Sequence, residues 1–95
     1  MSEQPPLDFG KVEALRKHML ITVQQLSELL GVSRMTYYGW LKGKNIRAHN
    51  DFKVRRILKQ LLAIMHEHEW PTPNVIGISS KERFEKLKEL IGDDY

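Results

Sequence analysis

The apolar residues of this chain recur at intervals of three and four, the spacing of helices that bury one face. Two such faces follow each other closely within residues 22–43, and Gly31 separates them. The first face consists of Leu26, Leu29 and Leu30, and the second of Tyr37, Trp40 and Leu41. Thr22, with Gln25 three residues later, is a favourable N-cap for the first helix. Glycine adopts the left-handed conformation that ends a helix at little cost, and Ser33 is a favourable N-cap for the second helix. The pattern therefore predicts two short helices joined by a tight turn.

Three further helical segments are predicted on either side of this pair. They cover residues 8–19, residues 51–69, which form the longest segment, and residues 79–91. Their N-caps are expected at Asp8, at Asn50 or Asp51, and at Ser79 or Ser80. The sequence therefore predicts an all-α fold. It is a compact domain of about five helices, with the joined pair at helices 2 and 3, a long fourth helix and a C-terminal helix.

The chain is predicted to divide into three parts. Residues 1–7 are polar and contain a Pro-Pro pair, so we expect a flexible N-terminus. Residues 8–70 form the main helical domain, and residues 71–95 form a linker and a C-terminal helix for docking or dimerisation. Within the linker, residues 74–78 are expected to be a short strand or extended chain. The apolar arc of the long helix is wider than one internal core requires, which indicates that a second subunit or the C-terminal segment covers it.

The joined pair of helices also carries a characteristic set of polar, small and apolar positions. They are the polar opening Thr22-Val23-Gln24-Gln25, the core pair Leu26 and Leu30, the small Ser27, the turn Gly31-Val32-Ser33, the apolar Tyr37 and Trp40, and the closing Gly43. This set resembles the helix-turn-helix of the phage repressor and Cro type, the XRE-like family. The resemblance implies that residues 8–70 are a double-stranded DNA-binding domain whose third helix enters the major groove.

The charge distribution agrees with this expectation. The net charge is only +3, yet residues 34–59 contain eight basic residues and one acid, Asp51, while the rest of the chain is net acidic. A local excess of positive charge is typical of surfaces that bind phosphate. A solvated helix face without a ligand has the same composition, so the charge alone leaves both interpretations open.

The resemblance implies two groups of DNA-contacting side chains, because residues near the start of the third helix reach base edges and the following loop lies along the backbone. The candidates for base contacts are Ser33, Arg34, Met35, Thr36 and Tyr38. The candidates for phosphate contacts are Gln24, Lys42, Lys44, Arg47 and Arg55. Arg34 has the bidentate geometry that guanine accepts, and Met35 or Thr36 suits a thymine methyl group. The alternative for Arg34 is an ordinary surface arginine.

Other classes of function have little support in the sequence. There is no cysteine nucleophile, no glycine-rich phosphate loop and no Ser-His-acid set in a recognisable context, so we expect no enzyme and no catalytic residue. His66 and His68 are two residues apart and point to different sides of a helix, so no metal site is expected. We also expect no cofactor and no small-molecule ligand. No run of about 18 apolar residues is present, which predicts no transmembrane helix and favours the cytoplasm of a bacterium or of a phage-infected host cell.

Three hypotheses for the function follow from these patterns. The first is a sequence-specific double-stranded DNA-binding protein, a small phage or bacterial transcriptional regulator or repressor that acts as a homodimer on two half-sites. The alternative is an assembly protein with the same motif, such as a small phage DNA-packaging subunit that forms a ring. The third is a domain that binds only a protein partner, which the basic residues disfavour.

Overall fold

The structure is a computed structural model, and it describes residues 5–92. This part of the chain contains six helices, and the predicted all-α class is confirmed. The helices are α1 (Phe9–His18), α2 (Val23–Leu30), α3 (Arg34–Leu41), α4 (Ala48–Glu67), α5 (Pro73–Ile76) and α6 (Ser80–Ile91). Most of the predicted flexible N-terminus, residues 1–7, lies outside the described residues, as do the last three residues of the predicted C-terminal part.

Local hydrogen bonds place the starts of the first three helices where the sequence predicts them. Asp8 caps α1, and its Oδ1 accepts from Gly10 N at 2.9 Å. Thr22 and Gln25 form a reciprocal capping box at the start of α2, with both bonds at 3.0 Å. Gly31 ends α2 in the left-handed conformation at φ 69°, and Ser33 Oγ then accepts from Thr36 N at the start of α3.

The long helix α4 begins earlier than predicted. It starts at Ala48 with Arg47 at the N-cap position, and Arg47 makes no side-chain capping bond. The predicted cap at Asn50 or Asp51 is therefore wrong. Asp51 instead lies in the first turn of α4, where a carboxylate is favoured by the helix dipole, and accepts from Arg55 Nε at 2.6 Å one turn later.

The linker contains a helical turn where a strand or extended chain was expected. Residues Pro73–Ile76 form α5, with Pro73 at the first helical position, where its missing N–H costs nothing. Val75 is buried, and the α6 residue Arg83 donates to the carbonyl oxygens of Val75 at 2.8 Å and Ile78 at 2.9 Å. The arginine satisfies carbonyl groups that a second strand would otherwise have to meet.

One apolar core connects α1–α4 with the C-terminal segment. In the described chain, α2 packs on both α3 and α4, and α6 packs on α4 through buried side chains that include Phe84, Leu87 and Ile91. Trp70 is buried as well, and its indole Nε1 donates to Met19 O at 2.8 Å. The C-terminal segment thus folds back on α4 of the same chain and holds the α1–α2 connection.

Candidate nucleic-acid interface

The helix α3 has one buried and one exposed face. Tyr37 and Trp40 belong to the core, whereas all five predicted base-contact residues are exposed. Met35 is 84% exposed and Tyr38 is 46% exposed, although both are large and carry apolar groups. Large apolar side chains on a solvent face indicate a surface that meets a partner.

The first turn of α3 is rigidly capped. Ser33 Oγ accepts from Thr36 N at 3.1 Å, and the Ser33 hydroxyl lies 3.0 Å from Thr36 Oγ1. The two hydroxyl groups are therefore held in one orientation relative to the helix. Arg34 and Met35 lie between them in sequence and project from the same turn.

An open cleft of about 330 Å³ separates α3 from the loop that follows it. Its lining is made of Met35, Thr36, Gly39, Trp40, Lys44, Asn45, Arg47 and Asn50. Two predicted base-contact residues and two predicted phosphate-contact residues thus share one cleft. Asn45 and Asn50 were not among the predicted DNA contacts, and Asn50 was expected only as a helix cap. Their amide groups flank the basic loop residues, and this neighbourhood in the sequence is the signal that would have identified them.

Gly39 allows the loop to lie close against α3. A methyl group at Gly39 would lie 3.1 Å from Lys44 Cδ, which is closer than ordinary van der Waals contact. The alkyl chain of Lys44 therefore rests on the α3 backbone. This contact fixes the Lys44 side chain where it lines the cleft.

The exposed basic residues of the 34–59 block have no ion-pair partner among residues 5–92. Six of the eight basic residues in the 34–59 block are exposed, and the two ion pairs in the described chain involve only Arg16 and Arg55. The exposed members are Arg34, Lys42, Lys44, Arg47, Arg56 and Lys59. Unpaired cations on one stretch of chain create a positive field that attracts a polyanion.

A comparison with known families identifies the family to which this chain belongs. A family model described as helix-turn-helix matches residues 12–61, which run from α1 into the second half of α4. The chain belongs to the helix-turn-helix family. It is of the XRE type, a family of DNA-binding regulators that are typically not enzymes. No curated protein and no solved structure gave a significant match.

The remaining predicted phosphate contacts of the helix-turn-helix lie in different settings. Lys42 is exposed at the end of α3, and Gln24 is exposed in the first turn of α2. Next to it, Gln25 Nε2 donates to Ser80 O at 3.2 Å and to Ser80 Oγ at 3.0 Å. The first turn of α6 is therefore fastened beside the first turn of α2.

Arg55 is already engaged within the helix-turn-helix protein. Its Nε donates to Asp51, and its Nη2 donates to Pro5 O at 2.7 Å. Lys53 also faces the protein, because its Nζ would lie 3.1 Å from a methyl group at Gly31. An ammonium group there meets the negative end of the α2 dipole. The structure thus does not bring Arg55 to the cleft that holds Lys44 and Arg47.

A polar network behind the helix-turn-helix was missed by the sequence analysis, which placed Tyr37 only in the core. The Tyr37 hydroxyl donates to Glu13 Oε2 at 2.6 Å, and Arg16 donates to both carboxylate oxygens at 2.7 and 2.8 Å. These three residues are called the Glu13 network below. The spacing of Glu13 and Arg16, three residues apart on α1, was the available signal.

The Glu13 network shifts the ionisation of its members in a consistent direction. Hydrogen bonding from Arg16 lowers the pKa of Glu13 against the opposing effect of burial, and the hydrogen bond from Tyr37 lowers it further. Burial raises the pKa of Tyr37, and the neighbouring Glu13 carboxylate raises it as well. The hydrogen bond to Glu13 raises the pKa of Arg16. At neutral pH the network is therefore an ion pair that accepts a bond from a neutral tyrosine.

Neither a metal site nor a membrane segment is found in the part of the chain that the structure describes. Within residues 5–92, no three side chains of the His, Cys, Asp and Glu types lie close enough together to hold a metal ion. Across the same residues, no helix combines the length and the apolar character needed to cross a membrane.

Proposed function

We propose that this helix-turn-helix protein is a sequence-specific transcriptional regulator that reads double-stranded DNA with α3 in the major groove. The observation that carries the proposal is the shared cleft, in which Met35 and Thr36 of α3 face Lys44 and Arg47 of the following loop. A helix that enters the groove needs base-reading side chains and adjacent cations for the phosphates that border the groove. This cleft supplies both within a few residues.

The proposed roles divide the surface between sequence reading and positioning. Arg34 would donate two hydrogen bonds to a guanine, and Met35 or Thr36 would contact a thymine methyl group. Ser33 and Tyr38 are exposed as well and would complete the reading surface. The phosphate contacts would come from Lys44 and Arg47, with Lys42 and Gln24 at the two ends of the motif. Arg55 would first have to leave Asp51 and Pro5, so we place it last among the phosphate contacts.

The regulator would act as a homodimer in a bacterial cytoplasm or in a phage-infected cell. Two copies of α3 would occupy half-sites about 34 Å apart, one turn of DNA, and block or recruit polymerase. Exposed apolar side chains on α4 support a contact between subunits, since Phe52 is 70% exposed and Leu62 is 43% exposed. Repression is then a consequence of occupying the promoter.

Selection of binding sites from a random duplex library tests this proposal. The selection is run at about 150 mM salt, where exposed charges are screened beyond roughly 8 Å and weak non-specific binding is suppressed. Enrichment of a palindrome is the expected result. Retention of DNA without enrichment would contradict sequence reading and favour the packaging or assembly role, and a ring-sized particle in solution would support that role. Absence of retained DNA would favour a protein partner.

Two substitutions in the cleft region should separate base reading from phosphate binding. Arg34→Ala should weaken binding to the selected site by about 1–3 kcal/mol and relax one base position, because only the correct base accepts both bonds. Lys44→Ala should weaken selected and random duplexes alike and reduce the salt slope by about one unit. Titrations of both variants on both duplexes at several salt concentrations measure these effects. Equal losses for Arg34→Ala on the two duplexes would exclude it as a base reader.

A further inference from the structure

The Glu13 network joins three parts of the helix-turn-helix domain at a single carboxylate. Glu13 belongs to α1, Tyr37 belongs to α3, and Arg16 also donates through Nη1 to Ile21 O at 2.8 Å, just before the N-cap of α2. The carboxylate thus connects α1 with α3 directly, and it is connected with the entry to α2 through Arg16. Apolar side chains in a core make no directional bonds, so they do not link helices through one group in this way.

The ring of Tyr37 fixes the depth of α3 but not its rotation. The ring is fully buried, and it packs edge-on against Phe9 with 6.3 Å between centroids and against Trp40 at the same distance. Contacts between such rings are broad in energy, so small sliding movements cost little. A hydrogen bond of 2.6 Å to a carboxylate is directional and about twice as strong as a neutral one. The hydroxyl therefore restrains a movement that the ring permits.

Rotation of α3 matters because most of the exposed base-reading side chains lie on the same short helix as the buried Tyr37 and turn with it. A helix with its side chains is about 10–12 Å across, so a rotation of about 10° moves a side-chain tip by about 1 Å. Base recognition requires positions within about 0.5 Å, whereas a flexible lysine follows a phosphate over a larger range. A loose α3 would keep its phosphate contacts and lose its discrimination between bases.

We propose that Glu13 is a positioning residue for sequence reading. It holds the Tyr37 hydroxyl and thereby sets the rotation of α3 against α1, while Arg16 holds Glu13 in place. Glu13 belongs to α1 and is partly buried, and its contact with α3 is the bond from Tyr37, so it acts on the reading surface through Tyr37. This inference rests on the proposed function, because it concerns how that surface distinguishes one duplex from another.

The test compares Tyr37→Phe and Glu13→Gln with the unsubstituted protein on two duplexes, the selected site and a random sequence. The measured quantity is the specificity ratio, the dissociation constant for the random duplex divided by the dissociation constant for the selected site. Both variants should lower this ratio about tenfold, the size of one lost base contact. Affinity for the random duplex and its salt slope should stay unchanged, since the phosphate contacts remain. Tyr37→Phe keeps the buried ring and serves as the decisive variant if Glu13→Gln does not fold.

A matched control separates positioning from general loss of stability. Ile91→Val removes one buried methyl group from α6, a helix that packs on α4, and such a change usually costs about 0.5–1.5 kcal/mol. Partial unfolding reduces the active fraction equally for both duplexes, so a merely destabilised variant keeps its ratio. We expect Ile91→Val to retain the full ratio.

The outcomes distinguish the inference from the function on which it rests. If the unsubstituted protein shows no preference for any duplex, the proposed function fails and the inference fails with it. If the unsubstituted protein prefers the selected site and both variants keep the ratio within about twofold, a change of less than about 0.5 kcal/mol, the inference alone is overturned. A ratio that falls in both variants and holds in Ile91→Val supports it.

Discussion

Tyr37 occupies an apolar position in the helical pattern, yet its hydroxyl group makes a specific hydrogen bond. Periodicity predicts that the ring is buried, and it is. The partner of the hydroxyl is Glu13, which lies 24 residues earlier in the chain. No local rule connects residues at that separation, so only the packing of α1 on α3 reveals the bond.

The ionisation of Tyr37 should make the protein less stable in alkali. The folded state retains the tyrosine proton at a pH where the unfolded chain, with a pKa near 10.0, releases it. The free energy of unfolding should therefore be independent of this group below about pH 9 and should fall as pH rises further, by about 1.4 kcal/mol at pH 11. Urea denaturation between about pH 8 and 11 measures the effect, and Tyr37→Phe should remove this part of the decline. Parallel pH profiles for the two proteins would contradict the assignment.

At the scale of elements, α3 and its following loop form one unit through Gly39 and Lys44. The helix has only eight residues and contains a glycine, which lowers its own stability. That glycine makes room for the Lys44 side chain. Gly39 thus lowers the helix propensity of α3, and in return it lets the Lys44 side chain lie in a fixed position beside the cleft.

Gly39→Ala should stabilise the fold and weaken DNA binding. Alanine favours a helix interior by about 0.5–1 kcal/mol over glycine, and the new methyl group meets only the flexible alkyl chain of Lys44. We expect the free energy of unfolding to rise by about 0.5 kcal/mol while affinity for all duplexes falls severalfold, since Lys44 is displaced. Thermal denaturation and binding titrations are the measurements. Unchanged affinity would show that Lys44 reaches DNA equally well from another position.

At the scale of the whole molecule, the C-terminal segment is part of the same core as the helix-turn-helix. The family match ends at residue 61, but Trp70 donates to Met19 and α6 is fastened to α2 through Gln25 and Ser80. These contacts join residues more than 50 positions apart in the chain. The segment therefore supports the helix-turn-helix part of the chain directly.

Two substitutions of Trp70 should show that the stability of the fold depends on the C-terminal segment. Trp70→Ala should lower the free energy of unfolding by about 3–5 kcal/mol, because it removes a buried ring and leaves Met19 O without its donor. Trp70→Phe, which removes mainly the donor, should cost about 1–3 kcal/mol. The control is Met35→Ala, which truncates a side chain that is 84% exposed and should change stability in the absence of DNA by about 0.5 kcal/mol or less. Urea denaturation, monitored through the helix content of the protein, measures the stability of all three variants. A small effect of Trp70→Ala would indicate that the C-terminal segment is not part of the cooperative unit.

The sequence by itself determined the elements of this protein and the face of α3 that meets solvent. The caps at Asp8, Thr22 and Ser33 and the turn at Gly31 depend on residues only a few positions away. They can therefore be predicted from the sequence. The exposed position of Arg34 and its neighbours follows from the same helical period. Where local rules permitted two answers, as at the start of α4 and in the linker, the prediction was wrong.

The tertiary structure alone decided which distant groups meet. It placed the Tyr37 hydroxyl on Glu13 and turned Arg55 towards Pro5, and it brought Lys44 and Arg47 to one cleft with α3. These contacts depend on how helices pack in three dimensions, and packing is set by the shape of the whole core rather than by any short stretch. The helix-turn-helix was therefore visible in the sequence, while the network that holds its third helix was not.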